Sequence, residues 1–284
     1  MIIIGEKING SIPSTAKAIR ERDEESIRNL ALRQTACGAA YLDLCAGTGP
    51  ELERETLQWL IGVVQEAVDT PLCIDSSDCE VILDMLPLVR RPGLINSVSE
   101  ERGKCDRLLP KIADSPWNVI ALTCDDRGIS TDPQVKCEIA ATIIGKAKAL
   151  GIEEDRLYID PTVTALSSVG DSLPSFTETV RLVKERFASV HITSGLSNIS
   201  YGMPYRKAIN QQFFCLALAA GMDSAIMDPT SADMRAALYA TEALLGKDRL
   251  CRRYYQAYRS GQIGAGQPSS RASHTTQSSD ADAT

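Results

Sequence analysis

A closed parallel (β/α)8 barrel, the TIM-barrel class, is the fold this sequence predicts, and three observations carry the prediction. Short β-rich runs alternate with longer amphipathic ones eight times along the chain. The β-rich runs are too continuously apolar to be half-exposed strands, so they read as strands covered on both faces. The first turn, "GEKING", is not the G-x-G-x-x-G of a doubly wound nucleotide-binding sheet, which counts against the open alternative.

The expected strands are "IIIG" (2–5), "YLDL" (41–44), "LCID" (72–75), "GLIN" (93–96), "NVIALT" (118–123), "LYID" (157–160), "VHIT" (190–193) and "SAIM" (224–227). Helical patterns lie between them, near 23–38, 51–68, 78–88, 100–114, 133–150, 174–187, 206–220 and 231–246. Asp23 before "EESIRNLALRQTACG" and Ser99 before "EERGKCDRLL" offer side-chain oxygens to the unpaired N–H groups of a first turn. Gly38, Gly151 and Gly221 supply helix stops. One domain is expected over 1–260. The segment 261–284, "GQIGAGQPSSRASHTTQSSDADAT", is too poor in apolar side chains to order itself and is expected to be a disordered tail. Just before it, "LCRRYYQAYRSG" reads as a helix packed on the barrel or on a partner subunit rather than a nucleic-acid patch.

Composition narrows the functional classes. Hydrophobic residues make up 44% of the chain, enough for a sizeable core, yet no apolar stretch approaches the roughly 20 residues of a membrane span. The opening "MIIIGEKING" has no basic segment ahead of a long apolar one, so no secretory signal is expected. A net charge of −7 argues against nucleic acid as a partner. The nine cysteines, at 37, 45, 73, 79, 105, 124, 137, 215 and 251, are odd in number and form no C-x-x-C pair. Free thiols in a reducing cytoplasm are the expectation, with Cys45 and Cys73 as small buried hydrophobes and no bound metal. Only two histidines are present, His191 and His274, which removes most chemistries that need imidazole as base or ligand.

The polar residues at strand ends form a pattern. Glu6 and Asn9 follow the first strand, Asp43 lies in the second, and Asp75, Asn96 and Asp160 close the third, fourth and sixth. Thr123 and Asp125 follow the fifth, Asn198 the seventh and Asp228 the eighth. In a (β/α)8 barrel these positions gather at one mouth, where active sites of this fold are built. Such residues also make turns, and Asp125 before "DRG" and Asp228 before "PTSADM" suit that work. Asp75, Asn96 and Asp160 end apolar strands, where an uncompensated polar group is costly to bury, so for them a ligand is the favoured reading. In "HITSGLSNISYG", Asn198 is an amide that donates and accepts hydrogen bonds without carrying charge. A carboxylate pair among Asp43, Asp75 and Asp160 would also suit a sugar hydrolase. With four Phe and two Trp, that reading would leave the sugar-stacking platforms to the eight Tyr.

Taken in order, "IIIGEKING", "YLDLCAG", "CIDSS", "INS", "YIDP" and "GLSNIS" resemble the pterin-binding methyltransferases over about residues 1–250. The chain is similar to the methyltetrahydrofolate:corrinoid protein methyltransferases, including the enzyme acting on the corrinoid/iron-sulfur protein. The folate domain of cobalamin-dependent methionine synthase is a more distant likeness. The resemblance implies a barrel that binds tetrahydrofolate or 5-methyltetrahydrofolate at its mouth. It implies ring hydrogen bonds from Asp75, Asn96 and Asp160, and Asn198 at N5, the atom that carries or receives the methyl group. Asn198 and Asp160 are then the expected catalytic pair. Arg206, in "MPYRKAIN", matches an arginine near the aminobenzoyl-glutamate part of the ligand, and Glu6, Asn9, Asp43 and Ser200 match residues near the mouth. The chain departs from the family at Tyr201, where a glutamine is expected, and across "YGMPY".

No D-x-H-x-x-G stretch that would ligate a corrinoid from below is present, so the cobalt is expected to arrive on a separate corrinoid protein docking over the open mouth. The departure at "YGMPY" tilts the reading toward a demethylation pathway, with methyl passing from methylcorrinoid to tetrahydrofolate. The resemblance also suggests a homodimer. Two alternatives stay open on sequence alone. One is a dihydropteroate synthase-like pterin enzyme, although the Asn-rich phosphate loop and the late Ser-x-Arg stretch are missing; the other is a non-catalytic folate-binding protein.

Overall fold

The computed structural model describes residues 1–264, and the apolar runs become ten strands and ten α-helices. The strands are β1 (Ile2–Asn9), β2 (Tyr41–Cys45), β3 (Leu72–Asp75), β4 (Leu94–Val98), β5 (Asn118–Leu122), β6 (Cys124–Asp125), β7 (Gly128–Ile129), β8 (Leu157–Asp160), β9 (His191–Ile192) and β10 (Ser224–Met227). The helices are α1 (Pro13–Arg20), α2 (Glu24–Ala36), α3 (Pro50–Ala67), α4 (Cys79–Met85), α5 (Lys104–Ile112), α6 (Pro133–Ala149), α7 (Ser172–Arg186), α8 (Arg206–Ala220), α9 (Ala232–Leu244) and α10 (Arg252–Arg259). Eight strands form one parallel sheet in the order β10-β1-β2-β3-β4-β5-β8-β9, and β6 with β7 makes a small antiparallel hairpin. A parallel bridge from Gly195, just past β9, to Ile226 in β10 joins the two edges. The expected (β/α)8 TIM barrel is therefore the fold.

Alternation along each strand divides the core in two. Leu42, Leu44, Ile74, Ile95, Val119 and Ile159 face outward into the layer beneath the helices. Ile4, Cys73, Leu94, Ile120 and Tyr158 face inward and form a separate buried plug inside the barrel. Asp75, Asn96 and Asp160 each lie two residues beyond a plug residue on their own strands, and so stand on its upper surface at the C-terminal mouth. The plug is the floor of the site. His191 opens β9 at the other end, where its ring packs on Tyr158 at 4.6 Å and its Nδ1 lies 3.1 Å from Asp223 Oδ2.

Local signals explain most boundaries. Asp23 Oδ1 accepts the Ser26 N–H at 3.0 Å, and Gly221, at φ 118°, ends α8. Ser99 Oγ accepts the Glu101 N–H at 3.3 Å, but Arg102 and Gly103 are left-handed, so α5 starts only at Lys104. The short α1 was not among the expected helices. At the mouth Gly47, with φ 59°, presses on Gly10; a Cβ there would lie 2.4 Å from the Gly10 carbonyl carbon. Packing runs a little past residue 260: Gln262 O accepts from Arg235 and Ile263 is buried. Of the expected disordered tail, residues 265–284 lie outside the described residues. Among the described residues no helix is long and apolar enough to cross a membrane.

Ile120 is completely buried at the centre of the plug. Truncating it leaves a cavity as well as losing buried surface, so Ile120→Ala should cost about 2–5 kcal/mol. Urea unfolding should show a lower midpoint with an unchanged slope.

Candidate active site

Strand register assembles a polar layer above the plug. Cys45 pairs with Asp75, Asp75 with Asn96, and Leu122 with Asp160 across adjacent strands. Asp43 lies one step deeper, opposite Cys73, and is only 1% exposed. Its Oδ1 accepts a hydrogen bond from Asn96 Nδ2 at 3.3 Å, which leaves the Asn96 carbonyl oxygen for another donor. Burial, then the neighbouring Asp75 charge, pushes the Asp43 carboxyl well above the usual carboxylate range. Burial also lifts Asp75, to about 6, against the hydrogen bond it receives from the Cys45 thiol. Cys73 likewise serves Asp43, and burial raises both thiols, so they remain protonated donors. Sequence reasoning treated these cysteines as plain hydrophobes. The available signal was their two-residue spacing from Asp43 and Asp75, which puts thiol and acid on the same face of a strand.

Asp160 is 7% exposed and lies over the β8–β9 side of the floor. Burial lifts it to about 6, opposed by hydrogen bonds from the backbone N–H groups of Thr162 and Gly195 and by the charge of Lys136. The Thr162 bond is 2.8 Å. Lys136 had no part in the expected site: in sequence it is one more polar residue in a helical pattern, and only packing shows that it is buried.

Asn198 sits on a single 3-10 turn, Leu196–Ser200, with its side chain exposed over the mouth. The same Gly195 that donates to Asp160 leaves room for it, because a Cβ at Gly195 would come within 3.2 Å of Asn198 Nδ2. Arg206, the first residue of α8, clamps this turn: its Nε donates to Ser200 Oγ at 2.9 Å and one Nη to Ser197 O at 2.6 Å. Ser200 is fully buried, so its hydroxyl belongs to the clamp. Glu6 lies on the β1 side of the mouth. Burial and the Asp228 charge raise it to about 7, against the cations of Lys7 and Arg206. Beside it opens a cavity of about 230 Å³ lined in part by Ser197, Tyr205, Asn210 and Asp228.

Three other strand-end residues do turn work. Asn9 Oδ1 accepts the Ser11 N–H at 2.8 Å. Asp228 Oδ1 accepts from the Thr230 N–H and hydroxyl at 2.8 and 2.6 Å, and Asp125 is held by its neighbour Arg127. The layer left to meet a ligand holds acceptors in Asp75, Asp160 and the Asn96 carbonyl, with an uncharged amide at Asn198. Such a layer suits a flat polar ring bearing several N–H donors.

Two measurements test this geometry. Glu6, Asp75 and Asp160 bind protons more tightly folded than unfolded, so their contribution to stability is complete below about pH 4 and lost as pH rises through 6 to 7. In the ligand-free protein, Asp160→Asn should remove about 2–3 kcal/mol of the fall in unfolding free energy between pH 4 and 7. Parallel wild-type and variant profiles would refute the assignment. Gly195→Ala should fold with near-normal stability and bind ligand almost as before, yet slow any reaction at this site about tenfold, roughly the effect of 1.4 kcal/mol, because its methyl group displaces Asn198.

Comparison with known proteins places the chain in a family. A family profile described as "Pterin binding enzyme" matches residues 6–228. The methylcorrinoid:tetrahydrofolate methyltransferase of Eubacterium limosum is 51% identical over 266 residues, covering 93% of this chain and 98% of its own. The methionine synthase of Mycobacterium tuberculosis is 29% identical over 245 residues, 80% of this chain but 20% of that much longer protein. Among solved structures, dihydropteroate synthase from Xanthomonas albilineans with 4-aminobenzoic acid superposes with a TM-score of 0.64 at 20% identity, covering 87% of this chain and 93% of that one. Its complex with 7,8-dihydropteroate gives 0.61 at 19% identity over 86% and 92%. At that identity the synthases share the fold alone.

Proposed function

The chain belongs to the pterin binding enzymes, and we propose that it is a methyltransferase that moves a methyl group from the cobalt of a methylated corrinoid to N5 of tetrahydrofolate. The observation that carries this reading is the end-to-end likeness to a methylcorrinoid:tetrahydrofolate methyltransferase, where the methionine synthase likeness spans one segment of a larger enzyme. The dihydropteroate synthase alternative rests on shared fold alone. The corrinoid is a substrate carried by a separate protein.

The residues suit the two partners. Asp75 and Asp160 accept from ring N–H groups, and Asn96, its amide nitrogen turned to Asp43, accepts through its oxygen. Each unmatched polar group on a buried ring would cost about 1–3 kcal/mol, which accounts for carboxylates and an amide in place of apolar contacts. When N5 attacks the methyl carbon, the carbon–cobalt bond breaks with both electrons left on cobalt, which goes from Co(III) to Co(I). N5 becomes cationic and then releases its proton. A fixed negative charge beside N5 would hold the cationic product too tightly. The Asn198 amide turns its oxygen toward the charge as it develops, and toward N5–H in the reverse direction. Arg206 and Ser200 keep the Asn198 turn in place. The N5 proton leaves directly to solvent or through a hydrogen-bonded network that includes Asp160. Tyr201 and Tyr205, 72% and 81% exposed on the rim beside this turn, offer aromatic surface for a docking corrinoid protein.

The deciding experiment mixes the protein with tetrahydrofolate and a methylated corrinoid protein and follows the cobalt spectrum. Loss of the methyl–cobalt band with one equivalent of 5-methyltetrahydrofolate supports the reading, whereas tight folate binding with no transfer would make this a binding protein. Asn198→Ala should lower turnover about 10²-fold while tetrahydrofolate affinity changes little; equal losses in both would refute the N5 role. Tyr205→Ala should raise KM for the corrinoid protein several-fold and leave folate affinity unchanged, as calorimetry and steady-state kinetics together would show.

A further inference from the structure

One buried charge has no part in the methyl-transfer scheme above. Lys136, on α6, is 2% exposed and among the largest completely buried side chains in the barrel. Lysine is almost never so fully buried unless it is paired, because desolvating an ammonium is costly. No carboxylate lies within salt-bridge distance of it among the described residues. Its Nζ instead donates to the Thr162 carbonyl oxygen at 3.0 Å and to Ser175 Oγ at 3.2 Å, and the Ser175 hydroxyl in turn donates to Thr131 O at 2.6 Å. The ammonium thus ties the start of α6, the loop after β8 and the first turn of α7 together beneath the mouth.

The residue it grips is strained. Thr162 has φ 49°, a left-handed conformation that is a true outlier for a β-branched side chain. Strain of this kind costs about 1–3 kcal/mol and persists only where the surroundings over-determine it. Here the carbonyl is held by Lys136, the N–H by Asp160 Oδ1 at 2.8 Å, and the hydroxyl lies 3.3 Å from Thr123 Oγ1. Thr162 thus meets Asp160 through its N–H and Lys136 through its carbonyl, on either side of the left-handed Cα.

We propose that Lys136 is a positioning residue for Asp160: through the strained residue Thr162 and through its own positive charge it holds that side chain as a carboxylate aimed into the mouth. The inference deepens the pterin reading of this site. The charged surroundings are simple. Lys136 is the cation facing Asp160, with the N–H groups of Thr162 and Gly195, and β5 presents uncharged Leu122 and Thr123. Lys136 itself faces Asp160 and, from the start of α7, Asp171. An ionised carboxylate accepts from ring N–H groups with both oxygens and more strongly than the neutral acid, so whatever keeps Asp160 ionised near neutral pH sets the pH range in which the ring binds best. A buried ammonium whose carboxylate neighbour lies across one residue does this without occupying the acceptor's lone pairs.

The test reads Asp160 directly, in the full-length protein without ligand, by the carbon-13 shift of its carboxyl group against pH, assigned with Asp160→Asn. Lys136→Gln keeps a donor for Thr162 and removes the charge, while Lys136→Met removes both. Both variants should move the Asp160 midpoint upward by about one pH unit or more. Lys148→Met, at the exposed end of the same helix, should leave it in place. The second readout is tetrahydrofolate affinity over pH 5 to 8.5. For Lys136→Gln it should fall about threefold near pH 6.5 and return toward wild type at pH 8.5. If Lys136→Met does not fold, Lys136→Gln alone decides. An unmoved midpoint in a folded variant overturns the proposal, as does an affinity loss that is the same at every pH. Should wild type bind no tetrahydrofolate at all, the pterin reading fails, and the carboxyl titration still decides the role of Lys136.

Discussion

The constraint on which this site depends is electrostatic: acidic side chains are crowded into a layer that rests on a dry apolar floor. Asp43, Asp75, Asp160 and Glu6 each lose hydration there, and burial is the largest influence on every one of them. A barrel mouth can hold such a layer because each strand contributes one polar end and the surrounding strands keep the groups from collapsing together. What remains is to satisfy each acid, and the protein does so with weak, uncharged donors: an amide for Asp43, thiols for Asp43 and Asp75, backbone N–H groups for Asp160. None of these neutralises an acid outright, so the acceptors stay available to a ligand.

The loops after β8 and β9 solve a different problem, that of aiming. Gly195 serves both Asp160 and Asn198, one through its N–H and the other through its missing Cβ. Thr162 takes a costly backbone conformation that no short-range preference would choose. Arg206 spends its guanidinium on the Ser197 carbonyl and the Ser200 hydroxyl, at the root of the turn that carries Asn198. These are rigid devices, suited to a reaction in which one atom must meet a methyl group delivered from outside the chain.

The family relation fits that division of labour. The barrel is shared with synthases of very different chemistry at about a fifth identity, and sharing it decides nothing about the reaction. The likeness at 51% identity spans 93% of the chain. Here the loops carry the exposed amide Asn198 and the exposed Tyr201 and Tyr205.

Taken alone, the sequence determined the architecture, because eight apolar runs in alternation with amphipathic ones leave few packings that bury them all. It also marked the mouth: Asp75, Asn96 and Asp160 stood out as polar ends on apolar strands, and the turn roles of Asp125 and Asp228 could be read from the residues after them. It could not order the layer. That Asp43 sits a step deeper and turns the Asn96 amide follows from register, which is a property of paired strands. Cys45 and Cys73 became donors only once neighbours distant in the chain were in place. Lys136 is the sharpest case: a lysine in a helix reads as solvent-facing, and only the closing of α6 against α7 and the loop after β8 buries its charge. Periodicity is local and survives in one dimension; desolvation and hydrogen-bond partners depend on which segments meet, and the tertiary structure alone decided that.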